Sequence, residues 1–169
     1  MSERPGRVDA PPPEEIEWHF DAPDLEEVER RLESDGLGDD RRLGPPEELR
    51  FFDVYLDTLD LTLLRSGLAC RVRIDEAARS GRGAVIALKS LQPPRAGVSR
   101  RVEIEQVVAS AVPRDREGRP ALEHLPRFLQ AEIGRDGAVA ARLHGLLGAR
   151  DLELFFLLRQ ARRARAVWA

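Results

Sequence analysis

Alternating apolar and polar positions recur along this chain with the two-residue period of a β-strand. The segments that show this alternation, or a short apolar run of strand length, are residues 14–20, 51–58, 68–75, 84–90, 99–108 and 152–168. Helical spacing follows Pro23 and recurs over Leu122–Leu147, while residues 60–67 form a connector or a short helical turn. About six strands with few helices between them predict an α+β fold with a mainly antiparallel sheet.

The polar positions of the predicted strands carry a high concentration of charge. They are Glu15 and Glu17, Arg71 and Arg73, Lys89, and Arg101, Glu103 and Glu105. Carboxylates two residues apart place hard oxygens together, which suits Mg²⁺ or Mn²⁺, and paired arginines suit phosphate oxygens. A metal–triphosphate complex would neutralise both sets. The alternative is a solvated sheet face whose cross-strand Glu–Arg pairs each contribute about 1 kcal/mol or less. Taken together, these eight charged residues favour a polyanion-binding face over a solvated one.

Lys89 is the single lysine among the 27 basic residues. A genome biased toward arginine codons explains the general scarcity of lysine, but it does not explain the one that remains. Lys89 follows the apolar run AVIAL, and a lysine in such a place is expected at a strand end or in a polar cavity. Its compact ammonium group differs from the planar guanidinium used elsewhere in the chain.

Length and composition restrict the class of protein. The chain has 169 residues, a net charge of −3 and one cysteine, Cys70, so it suits a single domain without internal disulfides or bulk attraction to nucleic acid. No apolar run approaches the roughly 20 residues of a membrane span, and the N-terminus does not resemble a signal peptide. We therefore expect a cytoplasmic protein with a disordered Pro-rich tail over residues 1–13 and one domain over residues 14–169.

The order of the charged motifs resembles that of the CYTH domain, also called the triphosphate tunnel metalloenzyme fold. The segment Glu15-Ile16-Glu17-Trp18-His19 stands where the family has its opening ExExK motif. The segment from Tyr55 to Ile74 is similar to the family's tyrosine-aspartate strand, leucine-rich connector and basic strand. AVIALKS matches the strand with a lone lysine, and Arg101-Val102-Glu103-Ile104-Glu105 matches the following strand.

This resemblance implies an antiparallel β-barrel with flanking helices and a charged tunnel, either closed or incomplete. Family members hydrolyse inorganic triphosphate, thiamine triphosphate or RNA 5′-triphosphates, and some cyclise ATP. The resemblance assigns catalysis to Glu15, Glu17 and His19. It assigns Mg²⁺ or Mn²⁺ binding to Glu15, Glu17, Glu103 and Glu105. It assigns phosphate binding to Arg71, Arg73, Lys89, Arg101, Arg159 and Arg163, with Arg162 as an alternative because the register of RQARRAR is ambiguous.

Two features depart from the family pattern. His19 replaces the family lysine, and a histidine with an ordinary pKa of about 6.5 carries little positive charge at pH 7. It could act as a proton relay or phosphate donor, or it could mark lost activity. Family chains also continue into further strands with a late acidic pair. The chain would then be a fragment, an open barrel, or one whose missing wall comes from a second copy, and an exposed sheet edge favours such a homodimer.

The sequence thus supports two functional hypotheses. The first is metal-dependent hydrolysis of inorganic triphosphate, short polyphosphate or another triphosphate-bearing substrate. The alternative is a non-catalytic module that binds polyphosphate or a nucleotide. No feature indicates adenine recognition for ATP cyclisation. Sequence-specific nucleic-acid binding is not expected, because no aromatic platform accompanies the basic run at Arg159–Arg165. Cys70 and the helical residues His124 and His144 are expected to serve packing or surface roles.

Overall fold

The computed structural model describes residues 14–18, 21–34, 41–77, 83–108, 110–133 and 137–168. The described helices are α1 (Leu25–Ser34), α2 (Thr62–Arg65), α3 (Leu125–Ile133) and α4 (Ala138–Leu147). The described strands are β1 (Glu14–Trp18), β2 (Arg42–Leu43), β3 (Glu47–Asp57), β4 (Leu68–Asp75), β5 (Ala84–Ser90), β6 (Val98–Val107), β7 (Glu153–Ala164) and β8 (Val167–Trp168). The predicted tail and His19 lie outside the described residues.

A curled antiparallel sheet dominates the described part of the chain. Its six strands follow the order β1-β6-β5-β4-β3-β7, and β2 pairs separately with β8. This half-barrel with its helices confirms the predicted α+β fold and mainly antiparallel sheet. Two of the described strands differ from the sequence prediction by more than one residue at a boundary. β3 begins at Glu47 because β7 pairs along its whole length, and the last predicted strand is divided into β7 and β8 by residues 165–166.

The hydrophobic core lies on one face of the sheet, which we call the outer face. Alternate residues of β3, β4 and β5 are buried there against α3 and α4, as their two-residue period predicts. The buried strand residues include Phe52, Val54, Leu56, Cys70, Val72, Ile74, Ile86 and Leu88, and the helical residues include Leu125, Leu129, Val139 and Leu143. Burial of each such side chain contributes about 1.5–3 kcal/mol. The polar residues of these strands therefore lie on the opposite face, which we call the inner face.

Helix α1 lies beside the end of β7, at the opposite edge of the described sheet from β1. It follows β1, the strand at one edge of the described sheet. Its Glu29 pairs with Arg163 of β7, the strand at the other edge, and its Glu33 pairs with Arg165, which directly follows β7. Asp24 caps the helix, because its Oδ1 accepts the N–H groups of Glu26 and Glu27 at 2.9 and 3.1 Å.

The turn between β3 and β4 is held by a buried carboxylate. Asp57 accepts the N–H groups of Thr58, Leu63 and Leu64 at 2.7, 2.9 and 3.0 Å. These bonds cap the short helix α2 and set the point at which β4, with its two arginines, begins. Among the described residues no helix is both long enough and apolar enough to cross a membrane.

Candidate functional site

The inner face encloses a cavity of about 1030 Å³, here called the charged cavity. Eight of the predicted site residues line it: Glu15, Glu17, Arg71, Arg73, Lys89, Arg101, Glu103 and Glu105. Sequence reasoning treated Arg162 only as an alternative and did not select Tyr55, yet both also line the cavity. His19 lies outside the described residues.

The register of the sheet brings these residues together from separate strands. Glu15 on β1 stands opposite Arg101 on β6, and Lys89 on β5 stands opposite Glu103. Opposed residues in an antiparallel pair project from the same face. Alternation within each strand then places Glu17, Glu105 and the arginines of β4 on that face as well. The cavity therefore follows directly from the strand order and the two-residue period.

In the acidic half of the cavity, the carboxylates surround two cations. Lys89 Nζ lies 2.6 Å from Glu103 Oε2 and donates to Glu15 Oε2 at 3.0 Å. Arg101 Nε lies 3.1 Å from Glu15 Oε2 as an ion-pair contact without hydrogen-bond geometry, and its Nη2 donates to Glu17. Each of the two cations in this half therefore contacts two carboxylates.

Glu15 and Glu103 ionise differently because of their contact with one another and with Lys89. Burial opposes ionisation of Glu15, but hydrogen bonds with Glu103 and Lys89 and the charges of Lys89 and Arg101 outweigh it and lower its pKa to about 2. Burial and the hydrogen bond with Glu15 raise the pKa of Glu103 above its usual value, against the effect of Lys89. Of the two carboxyl groups, Glu103 therefore binds a proton more readily than Glu15.

We expect the Glu103→Gln variant to change the pH dependence of stability. Because the pKa of Glu103 is raised above the usual 4.5, its contribution is fully present below that pH and is lost as pH rises through the folded-state pKa. Glutamine cannot ionise, so this loss should disappear in the variant. Urea midpoints measured between pH 4 and 8 would test the point, with Glu105→Gln as the control. If the urea midpoint changed with pH by the same amount in Glu103→Gln and in the wild type, the raised pKa of Glu103 would be contradicted.

In the basic half, a fully buried carboxylate holds Arg73. Arg73 Nε and Nη2 donate to the two carboxylate oxygens of Asp53, both at 2.8 Å, and Asp53 has no exposed surface. The guanidinium also lies 4.7 Å from the centre of the Phe51 ring. The hydrogen bond with Asp53 raises the pKa of Arg73. Sequence reasoning missed Asp53, although a single carboxylate within FFDVYL requires a buried partner.

Two other arginines in the cavity have unused hydrogen-bonding capacity. Arg71 Nη2 reaches Glu103 at 3.4 Å, but Arg71 Nε is buried and has no hydrogen-bond partner among the described residues. Arg162 donates only to Gln160 Oε1, at 3.3 and 3.1 Å, and no described carboxylate lies within ion-pair distance of it. Burial and the charges of Arg73 and Arg71 lower the pKa of Arg162. An anion would relieve this repulsion and satisfy the donors.

The predicted placement of Arg159 and Arg163 in the cavity is corrected by the register of β7. Arg159 stands opposite Phe52 and Arg163 opposite Glu48, so both project from the outer side of the sheet. Arg159 pairs with Glu76 at 2.5 Å, and Arg163 pairs with Glu29. Arg162 takes the inner position instead. Cys70 lies in the core as predicted, and burial raises the pKa of its thiol to about 12.

The carboxylates of the cavity are compatible with a divalent cation that arrives with its substrate. No group of three or more acidic, histidine or cysteine side chains converges among the described residues. Mg²⁺, however, is commonly held by one or two carboxylates together with substrate phosphates and water. Glu15 and Glu103 provide such a pair, because both contact the Lys89 ammonium group, at 3.0 and 2.6 Å, and their oxygens therefore lie close together.

Comparisons with known proteins agree with this architecture. No family model and no curated protein matches the sequence. The structure is similar to that of a Hippeastrum protein that was assigned as an adenylyl cyclase and reveals a dominant triphosphatase activity. The identity is 17% and the TM-score 0.54, over 89% of this chain and 64% of that one. A Bacillus halodurans protein assigned as an adenylate cyclase gives 19% identity and a TM-score of 0.40, over 88% and 63%.

The chain therefore spans less than two thirds of the length of either relative. The likeness to the Hippeastrum protein supports the fold that the CYTH resemblance predicted, an antiparallel sheet curled around a charged inner face. The six described strands of the sheet form an incomplete tunnel of this type.

Proposed function

We propose that this chain binds a triphosphate or short polyphosphate in the charged cavity and hydrolyses it with Mg²⁺ or Mn²⁺. The proposal rests on the unused hydrogen-bonding capacity of two arginines. Arg71 has a buried Nε without an acceptor, and Arg162 has no carboxylate partner among the residues that the structure describes. A buried donor without an acceptor costs about 1–3 kcal/mol, so a cavity that retains such donors is suited to an anion that supplies the acceptors.

The acidic and basic halves would have separate roles. Arg71, Arg73 and Arg162 would hold the phosphate chain, and Asp53 would keep the Arg73 guanidinium in place. Glu15 and Glu103 would hold the cation, with Glu17 and Glu105 beside them. The cation supplies polarisation of a phosphoryl oxygen and orientation of water. Lys89 would stabilise charge that develops on the terminal phosphate.

A related protein supports the same substrate chemistry. The Hippeastrum protein, whose fold this chain shares, has a dominant triphosphatase activity. At 17% identity the likeness concerns the fold, and the substrate is therefore argued from the cavity of this chain. Its inner face combines guanidinium groups with carboxylates, as a triphosphate and its cation together require.

A second candidate is a binding module without turnover. It is favoured by the pairing of Glu15, Glu17 and Glu103 with Lys89 and Arg101, since carboxylates held by internal cations are less available to a metal ion. Phosphate release separates the two candidates. Binding of triphosphate without release in the presence of Mg²⁺ or Mn²⁺ would identify the module.

We expect calorimetry to detect binding of inorganic triphosphate, and Arg71→Gln and Arg162→Gln each to weaken it by about tenfold or more, since each removes charge-assisted hydrogen bonds. Arg159→Gln is the matched control, because Arg159 lies on the other side of the sheet. The control should bind as the wild type does. Absence of binding in the wild type, or an equal loss in the control, would refute a phosphate site in this cavity.

A further inference from the structure

Strand β7 has a long open edge. It has 12 residues and, within the part of the chain that the structure describes, it pairs only with β3, whereas β1 at the other edge of the sheet has 5 residues. Native proteins usually keep exposed edge strands short, because unpaired N–H and C=O groups attract another strand. Phe155, Phe156 and Leu158 of β7 are also 45, 48 and 42% exposed. An edge with these properties fits a further strand.

The sequence of β7 is self-complementary when two copies run antiparallel. The strand begins with the acidic Glu153, is apolar over residues 154–158 and carries three arginines over residues 159–163. Antiparallel pairing brings the apolar middles together and places the acidic start of each strand beside the basic end of the other. Parallel pairing would place the basic ends side by side, which is unfavourable. The charge pattern therefore selects a two-fold arrangement.

The β-bulge in β7 places Glu153 and Arg162 on the same face of the sheet. Strand β3 pairs with Leu154 and with Phe156 but skips Phe155, the extra residue. Leu154 packs against the core, so its neighbour Glu153 projects from the inner face, where Arg162 also lies. Without the bulge the two charged residues would lie on opposite faces. Two copies of the bulged strand can therefore bring these residues together.

Glu153 and Arg162 both lack an oppositely charged partner among the described residues. Arg162 donates only to Gln160, and the Glu153 carboxylate has no hydrogen bond or ion pair with the rest of the described chain. Glu153 instead stands opposite another carboxylate, that of Asp57. Like charges directly opposite one another destabilise a sheet. A cation beside Glu153 would relieve this repulsion.

We propose that β7 pairs antiparallel with β7 of a second copy of this chain, about a two-fold axis at Leu158. Each Leu158 then stands opposite Leu158 of the partner subunit. Arg162 stands opposite Glu153 of the partner subunit, since the bulged residue is skipped in each strand. The partner carboxylate holds the Arg162 guanidinium as Asp53 holds Arg73. A guanidinium has more donors than one carboxylate accepts, so donors remain for a phosphate.

Sedimentation equilibrium over a range of protein concentrations tests this pairing, and we expect the wild type to be a dimer. Leu158→Lys should raise the dissociation constant at least about 100-fold, because two ammonium groups would meet at the axis. Glu153→Arg should raise it about tenfold, since it places like charges opposite one another. The exchange Glu153→Arg/Arg162→Glu should restore dimerisation. Leu59→Lys is the control, because Leu59 is 84% exposed and lies outside β7.

Cysteine cross-linking checks the register by a second measurement. Leu158→Cys should form a covalent dimer on oxidation, because the Cα atoms of directly opposed residues lie about 4.5–5.5 Å apart, within reach of a disulfide. Gln160→Cys is the matched control on the same face, since the two-fold axis at Leu158 separates its two copies by several residues. The native Cys70 is buried and should not contribute.

A monomeric wild type would overturn the dimer. A dimer that Leu158→Lys leaves intact, or that Gln160→Cys cross-links as readily as Leu158→Cys, would overturn the proposed pairing as well. A dimer that Leu158→Lys and Glu153→Arg weaken, and that the charge exchange restores, would support it. The dimer does not depend on the function proposed for the cavity, because binding of inorganic triphosphate is measured separately and tests that function alone.

Discussion

Phosphate release from inorganic triphosphate should fall by at least about 100-fold when Glu15 and Glu17 are both replaced by glutamine. Glutamine keeps the size of each side chain but removes the anionic oxygens that would hold Mg²⁺ or Mn²⁺. It also releases Arg101, whose guanidinium contacts both carboxylates. Phosphate release should be measured over a range of Mg²⁺ and Mn²⁺ concentrations, so that a weakened metal site can be told from a lost one.

The matched control replaces two carboxylates outside the cavity, Glu117 and Glu123, by glutamine. Both are well exposed, at 65% and 80% of the side chain, and the control should release phosphate as the wild type does. Activity retained in Glu15→Gln/Glu17→Gln would exclude these two residues from the metal site. Activity absent from the wild type, with triphosphate still bound, would favour the binding module.

Replacing Arg73 by methionine should lower the free energy of unfolding by about 3 kcal/mol. The change leaves the Asp53 carboxylate buried without the two hydrogen bonds that compensate for its desolvation. Urea denaturation would measure the effect. Arg159→Met is the control, because its pair with Glu76 is exposed and such pairs contribute about 0–1 kcal/mol. Losses of equal size in the two variants would contradict the role assigned to Asp53.

A second replacement would show whether the uncompensated charge of Asp53 causes the loss of stability in Arg73→Met. Removing Asp53 as well, in Asp53→Leu/Arg73→Met, should recover much of the stability, since apolar residues often replace a buried ion pair without cost. A double variant less stable than Arg73→Met would show that packing around Phe51 accounts for the effect instead.

Alternation within single strands was enough to predict much of the inner face. Arg71 and Arg73 share one face of β4 and Glu103 and Glu105 share one face of β6, because each strand alternates with apolar residues that belong in the core. Asp53 could not be paired with Arg73 in this way. The pairing depends on which residue of β4 stands opposite β3, and that is a property of the sheet.

The arginines of β7 could not be assigned because a β-bulge interrupts the strand. The register with β3 shifts between Tyr55 and Leu56, so that Leu154 and Leu157 both pack against the core although they are three residues apart. Uninterrupted alternation from Leu154 would turn Arg159 and Arg163 inward. One extra residue in a strand moves the residues after it to the other face, and Arg162 faces inward as a result.

Opposite charges alternate over short distances on the inner face, with Lys89 and Arg101 among the carboxylates and Asp53 among the arginines. The fields of such neighbours largely cancel beyond a Debye length, about 8–10 Å at physiological ionic strength. Extended polyanions such as nucleic acids are attracted from a distance by broad surfaces of one sign. A compact phosphate that carries its own cation can match the alternation locally. Under the proposed function, a triphosphate would therefore be distinguished from a nucleic acid during diffusional approach, before any contact forms.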